Sequence, residues 1–298
     1  MPTAVWIPLA VVLFGVLCVL YAWQVERKSF RLRRFSVPIL PPGSPDLKVL
    51  HISDLHFTAG QPWKQQWVRR LAALEPDLVV DTGDNLGGDD GVEPAFAALD
   101  PLLGRPGAFV PGSNDWFAPS PKNPLGYLRS PDRHRRIYGP RLPWGEVRAR
   151  FVARGWLDLT HRRTTIDLRG VRVELAGVSD PHLYADHYER VAGPVTADVA
   201  IGLSHSPEPR VVDAFAADGF SLILSGHTHG GQLRVPLFGA LVTNCGLERK
   251  RARGLSRWPS GGYLHVSAGL GTSRYAPVRF ACHPEATLLT LTARPGDQ

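Results

Sequence analysis

The sequence predicts an α/β domain that follows one membrane-spanning helix. A long apolar run stands near the N-terminus, and short apolar runs then alternate with polar clusters and helical stretches. Strands that alternate with helices are typical of α/β proteins, whose sites form beyond the carboxyl ends of the strands. The 298 residues are 44% hydrophobic and 20% charged, which indicates a globular protein with room for one large core.

The apolar run predicts a transmembrane anchor over residues 1–24. Residues 4–23 carry no charge, and a helix of this length spans roughly 30 Å, the thickness of the hydrocarbon core. Trp6 near one end and Tyr21 and Trp23 at the other stand where interfacial aromatic residues occur. A cleaved signal peptide is the competing interpretation, but no charged segment precedes the run and no small-residue cleavage site follows it.

A basic segment follows the anchor, whereas residues 1–3 contain no basic side chain. Its cations are Arg27, Lys28, Arg31, Arg33 and Arg34. The positive-inside rule then predicts a single-pass protein whose catalytic domain is cytoplasmic, although the same cluster could bind anionic headgroups on either face. We interpret residues 25–46 as a basic, proline-rich, extended connector and residues 47–298 as the catalytic domain.

Several apolar runs of the domain lead directly into polar residues that can hold a metal. The runs at 48–52, 78–80, 108–110, 199–203 and 222–224 lead to Asp54 and His56, Asp84, Asn114, His205, and His227 and His229. Asp-x-His and His-x-His would place both side chains on one side if the segments were extended. Carboxylates neutralise charge and neutral imidazoles complete the shells, so the joint pattern predicts a site for divalent metals.

The remaining patterns complete the predicted architecture. Apolar residues at helical spacing predict one helix through Trp63 and Leu71 and another through Val211 and Phe215. Residues 261–266 and 287–292 are typical of strands added antiparallel to a sheet, and the proline-rich residues 116–145 predict a loop over one edge. The three cysteines lack metal-ligand spacing, which favours structural thiols.

The ordered motifs resemble those of the calcineurin-like metallophosphoesterases. They are Asp54-x-His56, Gly83-Asp84, Gly112-Ser113-Asn114-Asp115, His205 and Gly226-His227-Thr228-His229, followed by Gly269-Leu270-Gly271 and by Pro277, Arg279 and Phe280. The closer likeness is to small bacterial membrane-associated members of the YkuE type. The resemblance covers residues 47–292 and implies a four-layer αββα sandwich of two mixed sheets.

The resemblance also implies a ligand set for two divalent ions, which could be Mn, Fe, Zn or Mg. Asp54, His56, Asp84 and His229 would bind the first ion, and Asp84, His205 and His227 the second, with Asp84 bridging. The third motif departs from the family's Gly-Asn-His-Asp/Glu, because Ser113 and Asn114 occupy the ligand and histidine positions in strict register. We favour Asn114 as the ligand, and predict that Asp54, Asp84 and Asn114 act in catalysis.

The predicted function is metal-dependent hydrolysis of phosphoester or pyrophosphate bonds, with a phosphorylated small-molecule or lipid substrate at the membrane. Without the family's histidine, loss of acid catalysis favours good leaving groups. One alternative is a non-catalytic, metal-stabilised protein that binds a headgroup or a partner. The net charge of +7 leaves nucleic-acid binding as a weaker alternative, since no recognition motif accompanies it. The basic run Arg249 to Arg257 could be a solvated face or a contact for anionic headgroups.

Overall fold

Two six-stranded mixed sheets form the centre of the protein in a computed structural model that describes residues 3–121 and 138–295. The first sheet contains, in spatial order, β1 (Arg31–Leu40), β14 (Glu285–Ala293), β2 (Leu47–Ile52), β3 (Leu78–Asp81), β4 (Gly107–Phe109) and β5 (Leu157–Asp158). The second contains β12 (Gly254–Arg257), β13 (Tyr263–Val266), β9 (Leu222–Ser225), β8 (Val199–Leu203), β7 (Val171–Gly177) and β6 (Arg162–Leu168). A separate hairpin pairs β10 (Arg234–Val235) with β11 (Gly239–Ala240).

Both sheets contain parallel and antiparallel strand pairs. Strands β2 to β5 run parallel, and β14 pairs antiparallel with β2 and parallel with β1. In the second sheet β7, β8, β9 and β13 run parallel, and β6 and β12 are antiparallel edge strands. The carboxyl ends of the central strands of both sheets therefore meet at one edge, where polar clusters follow them.

The helices of the described residues are α1 (Thr3–Gln24), α2 (Pro62–Arg70), α3 (Val92–Leu99), α4 (Ser113–Trp116), α5 (Trp144–Ala153) and α6 (Pro209–Ala217). Helices α2, α3 and α5 cover the outer face of the first sheet, and α6 covers that of the second. Alternation along each strand divides the core: Leu50 packs with α2, α3 and α5, whereas Val49 packs between the sheets. Phe215 of α6 packs on the outer face of the second sheet. The predicted αββα layering is confirmed.

The segment predicted to be a connector is extended as expected, but it is not separate from the domain. Residues 31–40 form β1, which pairs with β14 along its whole length. Its inward side chains Val37 and Ile39 are buried between the sheets, and this burial accounts for the strand. The predicted C-terminal strands are present as β13 and β14, each with one antiparallel and one parallel neighbour. Residues 122–137 of the predicted proline-rich loop lie outside the described residues.

Helix α1 is long and apolar enough to cross a membrane. Its large side chains are exposed, Ile7 at 67% and Phe14 at 69%, so it is not a core helix of the domain. Within the described residues, α1 contacts the domain at its C-terminal end: Ala22 is buried, and its carbonyl accepts a hydrogen bond from Arg279 N at 3.2 Å.

Candidate metal centre

Four predicted ligands converge where the central strands of both sheets end. Asp54, His56, Asp84 and His229 each offer one atom, and these atoms lie within 4.8 Å of one another. The His56 and His229 Nε2 atoms are 3.3 Å apart, and Asp84 Oδ2 lies 3.5 Å from His56 Nε2. Asp54 Oδ1 lies 3.5 Å from His229 Nε2. Two carboxylates and two imidazoles around one point form a donor set that fits a divalent cation.

His205 approaches the same carboxylate from another side. Its Nε2 lies 3.5 Å from Asp84 Oδ2, and its Nδ1 lies 2.7 Å from the Thr82 carbonyl. Because a carbonyl only accepts, Nδ1 carries the proton, and in the neutral ring the Nε2 lone pair faces Asp84. Asp84 Oδ2 is thus equally close to His56 and His205.

His227 lies beside His205, with ring centroids 5.3 Å apart. Its Nε2 is 3.3 Å from the Asn244 carbonyl, so Nε2–H donates there and Nδ1 keeps the free lone pair. The His227 backbone N–H donates to both oxygens of Asp54 at 3.1 Å. His182 packs against the His227 ring at 4.5 Å, a neighbour that the sequence pattern did not indicate.

The ligand-bearing segments are turns, whereas the sequence predicted extended segments. Five predicted ligands have left-handed φ angles: Asp54 (51°), His56 (41°), Asp84 (58°), His227 (67°) and His229 (48°). The expectation that Asp-x-His and His-x-His share one side of an extended segment is therefore wrong. Each such non-glycine residue costs on the order of 1–3 kcal/mol, and strain of this kind clusters at functional sites.

The third motif contacts Asp84 through main-chain and carboxylate groups. The Asp115 carboxylate accepts hydrogen bonds from Gly112 N, Asp84 N and Asn85 N at 2.8–2.9 Å. Asn114 N donates to Asp84 Oδ1 at 2.6 Å, and its side-chain Nδ2 donates to the Phe117 carbonyl at 3.2 Å. Asp115 therefore holds the Asp84 turn against the start of α4. Metal ligation by the Asn114 or Ser113 side chain remains a prediction.

Burial sets the protonation of the cluster. It lowers the pKa of His56 to about 4 and the pKa values of His227 and His229 well below their usual range, so these rings are neutral ligands near pH 7. Burial raises the pKa of Asp54 to about 6. Burial acts to raise the pKa of Asp84 and to lower that of His205. The proximity of the two groups outweighs burial, so the pKa of Asp84 is lowered and that of His205 is raised. A cation beside Asp84 would take the place of the His205 proton.

Two buried cations hold the loops that carry the cluster. Arg279 is fully buried, and its Nη2 donates to the carbonyls of Ala268, Gly269 and Gly271 at 2.7–3.1 Å and lies 3.5 Å from His229 Nδ1. Lys64 Nζ donates to the Leu55 and His56 carbonyls at 2.6 and 3.1 Å. Lys64 stands in a polar stretch of α2, where no sequence signal indicated burial.

The layered fold and the Asp/His cluster are together typical of the metal-dependent phosphoesterases. A family model for the calcineurin-like phosphoesterases matches residues 47–231, so the chain belongs to that family. It is 26% identical over 258 residues to the uncharacterized metallophosphoesterase YkuE of Bacillus subtilis, covering 85% of this chain and 82% of that protein. It is 26% identical to the phosphodiesterase YaeI of Escherichia coli, over 91% of this chain and 92% of that protein. A bovine (Bos taurus) transmembrane protein with a metallophosphoesterase domain is 29% identical, over 87% of this chain and 56% of that protein.

Proposed function

We propose that this chain is a membrane-anchored hydrolase that cleaves phosphoester or pyrophosphate bonds with two divalent cations. The observation that supports it most strongly is the position of Asp84, whose Oδ2 lies 3.5 Å from both His56 and His205. A site for a single cation needs no carboxylate between two histidines. Two-metal sites in phosphatases hold their ions about 3.5–4 Å apart, close enough to share a ligand.

The donor set supports one division of the predicted ligands between the two ions. The first ion would be held by Asp54, His56, Asp84 and His229, and the second by Asp84, His205, His227 and Asn114. Bound there, the two cations supply Lewis acidity that activates water and neutralises charge on the phosphoryl oxygens. Mixed imidazole and carboxylate donors suit Mn, Fe and Zn, and Mg accepts the carboxylates.

The chain's own groups position the reacting parts. The N–H of Asn114 donates to Asp84 Oδ1, and Asp115 fixes the turn beneath it, so Asp84 is pre-oriented before any ion binds. Neutral His56 and His229 need no proton loss to serve as ligands. Neither Ser113 nor Asn114 replaces the family's histidine as an acid, because a hydroxyl or an amide does not protonate a leaving group near neutral pH. Substrates with a stable leaving anion, such as aryl phosphodiesters or pyrophosphates, therefore suit this site.

The proposed anchor would hold this chemistry at a membrane. Helix α1 has the length and composition of a span, and the basic residues follow it directly, which favours a cytoplasmic domain. A membrane-associated or lipid-linked phosphate ester would then be the natural substrate class.

The test is hydrolysis of bis(p-nitrophenyl) phosphate by the metal-loaded full chain in detergent, compared with Asp84→Asn. We expect kcat/KM to fall at least about 100-fold, because the shared carboxylate charge is lost. Asp100→Asn, an exposed residue paired with Arg154, is the matched control and should retain activity. A wild-type chain that binds metal but does not hydrolyse bis(p-nitrophenyl) phosphate would instead support a non-catalytic metal-stabilised binding protein.

A further inference from the structure

We propose that an apolar and basic surface beside α1 lies on the bilayer and binds anionic phospholipid headgroups. This "hairpin surface" consists of residues 233–241, which contain β10 and β11, together with Arg249, Lys250 and Arg253. The inference rests on the membrane anchoring proposed above, and it adds a second contact between the domain and the lipid.

The hairpin exposes large apolar side chains. At its tip, Leu237 is fully exposed and Phe238 is 65% exposed, and the neighbouring Leu233, Val235 and Leu241 are each more than two-fifths exposed. Exposed apolar residues scattered singly need no explanation, but five within nine residues form a patch of the kind that marks an interaction site.

The base of the hairpin is fixed to the C-terminal end of α1. Arg234 N donates to the Phe280 carbonyl at 2.9 Å, and Phe280 N donates to the Gln232 carbonyl at 3.1 Å. The Phe280 ring packs edge-on against Tyr21 of α1, with centroids 6.3 Å apart. Since Tyr21 stands at the interfacial end of the span, the hairpin starts at the depth of the headgroups.

A buried carboxylate strengthens this junction. Glu26, just after α1, is buried and accepts hydrogen bonds from the backbone N–H groups of Ala281 and Cys282. Hydrogen bonds from neutral donors to a charged acceptor are among the stronger ones, so the end of α1 and residues 279–282 are held as one unit. The hairpin surface therefore cannot rotate freely away from the membrane end of the helix.

The charge of the surface identifies anionic lipid as the occupant. A cleft of about 510 Å³ is lined by Arg234, Arg249, Lys250 and Arg253, with Leu237 and Phe238 at its apolar side. Within the described residues, Lys250 pairs with Glu248 at 2.8 Å, while none of the three arginines has a carboxylate within 4.0 Å. Guanidinium groups beside exposed apolar side chains match a phosphate headgroup above acyl chains.

The surface is continuous with the candidate metal centre. The hairpin begins four residues after His229, and Arg234 Nη1 donates to the Gly230 carbonyl at 2.7 Å. A hairpin that rests on the bilayer would bring the centre to headgroup level. A lipid-linked ester could then reach the site without leaving the membrane.

The experiment measures the depth of the hairpin tip in the full chain reconstituted in vesicles. Phe238→Cys is labelled with a nitrobenzoxadiazole probe in a Cys245→Ser background, and quenching by lipid spin-labelled near the headgroup is recorded. The matched control is Val152→Cys. Val152 is 47% exposed and lies on α5, which leads into β5 at the edge of the first sheet opposite β1. Leu237→Cys gives a second labelling position at the tip should Phe238→Cys fold poorly.

We expect the tip label in phosphatidylglycerol–phosphatidylcholine vesicles to be quenched at least about threefold more than the Val152 label. Arg249→Gln with Arg253→Gln should reduce that quenching toward its value in pure phosphatidylcholine. Equal quenching at the tip and at Val152 would overturn the proposal, and so would equal tip quenching in anionic and neutral vesicles. If the tip becomes more shielded as the protein concentration rises in detergent, the surface would instead bind a second copy of the chain.

These readouts require no turnover. A chain that gives the expected quenching but hydrolyses no phosphoester would leave the membrane contact standing and remove the proposed activity. A chain that does not float with vesicles would remove the anchor, and the hairpin contact with it.

Discussion

A single methyl group at Gly112 tests whether Asp84 and His205 act together. Gly112 has φ −103° and ψ 177°, which alanine adopts without strain, so Gly112→Ala adds a steric change and nothing else to the backbone. A Cβ there would lie 2.7 Å from His205 Cε1 and Nδ1, and closer still to Asp84 Oδ1.

The size of the displacement sets the expected loss. Carbon contacts begin at about 3.5 Å, so His205 or the new methyl must move by about 0.8 Å, and Asp84 by more. Misplacement of a catalytic group by about 1 Å costs on the order of 100-fold in rate, and overpacking costs about 1–3 kcal/mol of stability. We therefore expect kcat/KM for bis(p-nitrophenyl) phosphate to fall about 100-fold, with reduced metal content and a folded protein.

Gly145→Ala is the matched control, because a Cβ on Gly145 meets nothing within 4 Å. In the first turn of α5 it should leave kcat/KM unchanged and stabilise the chain by up to about 1 kcal/mol. Gly112→Ala with wild-type kcat/KM and metal content would show that Asp84 and His205 do not need their observed positions.

Three further perturbations have defined outcomes. Arg279→Lys should lower kcat/KM about 10–100-fold, since one ammonium cannot reach the three carbonyls that Nη2 contacts. Unchanged kinetics at saturating metal would exclude a positioning role for Arg279. Pyrophosphates and aryl diesters should be hydrolysed faster than alkyl monoesters in a rate comparison, because Asn114 cannot protonate an alkoxide; equal rates with chemistry limiting would contradict this. Burial lowers the pKa of His265 to about 3, so between pH 6.5 and 5 the unfolded state takes up a proton that the folded state does not. The free energy of unfolding should therefore fall by about 1.6 kcal/mol for this group, and denaturant melts in which His265→Gln keeps the full decline would refute it.

The local pattern was sufficient to predict most of the fold and the composition of the cluster. Apolar runs followed by Asp54, Asp84 or His205 predicted strands with polar residues at their carboxyl ends, and the structure places them so. The αββα layering came from the resemblance of the ordered motifs, and the family model confirms the family. The period-two and helical patterns are properties of neighbouring residues, which is why they can be read from the sequence.

Features that depend on distant packing could not be predicted in this way. Residues 31–40 look like a basic linker, yet they form β1 because β14, some 250 residues later, offers an unpaired edge. Lys64 is buried because the Leu55 and His56 carbonyls face α2. The left-handed turns at Asp54 and His56 pack against the distant loop at 269–271, where Gly271 N donates to the Asp54 carbonyl at 2.6 Å and a Cβ on Gly271 would lie 2.7 Å from His56 Cβ.

In the proposed site, Asp84 is shared between two metal ions. The metal content of the purified full chain tests this sharing. It is measured by mass spectrometry after saturation with Mn²⁺ or Zn²⁺ and removal of free ions, beside Asp84→Asn. The proposed site predicts two ions per wild-type chain and the loss of at least one in Asp84→Asn, with the folded state retained. A wild-type chain that holds one ion or none, or an Asp84→Asn chain that holds as many as the wild type, would contradict it.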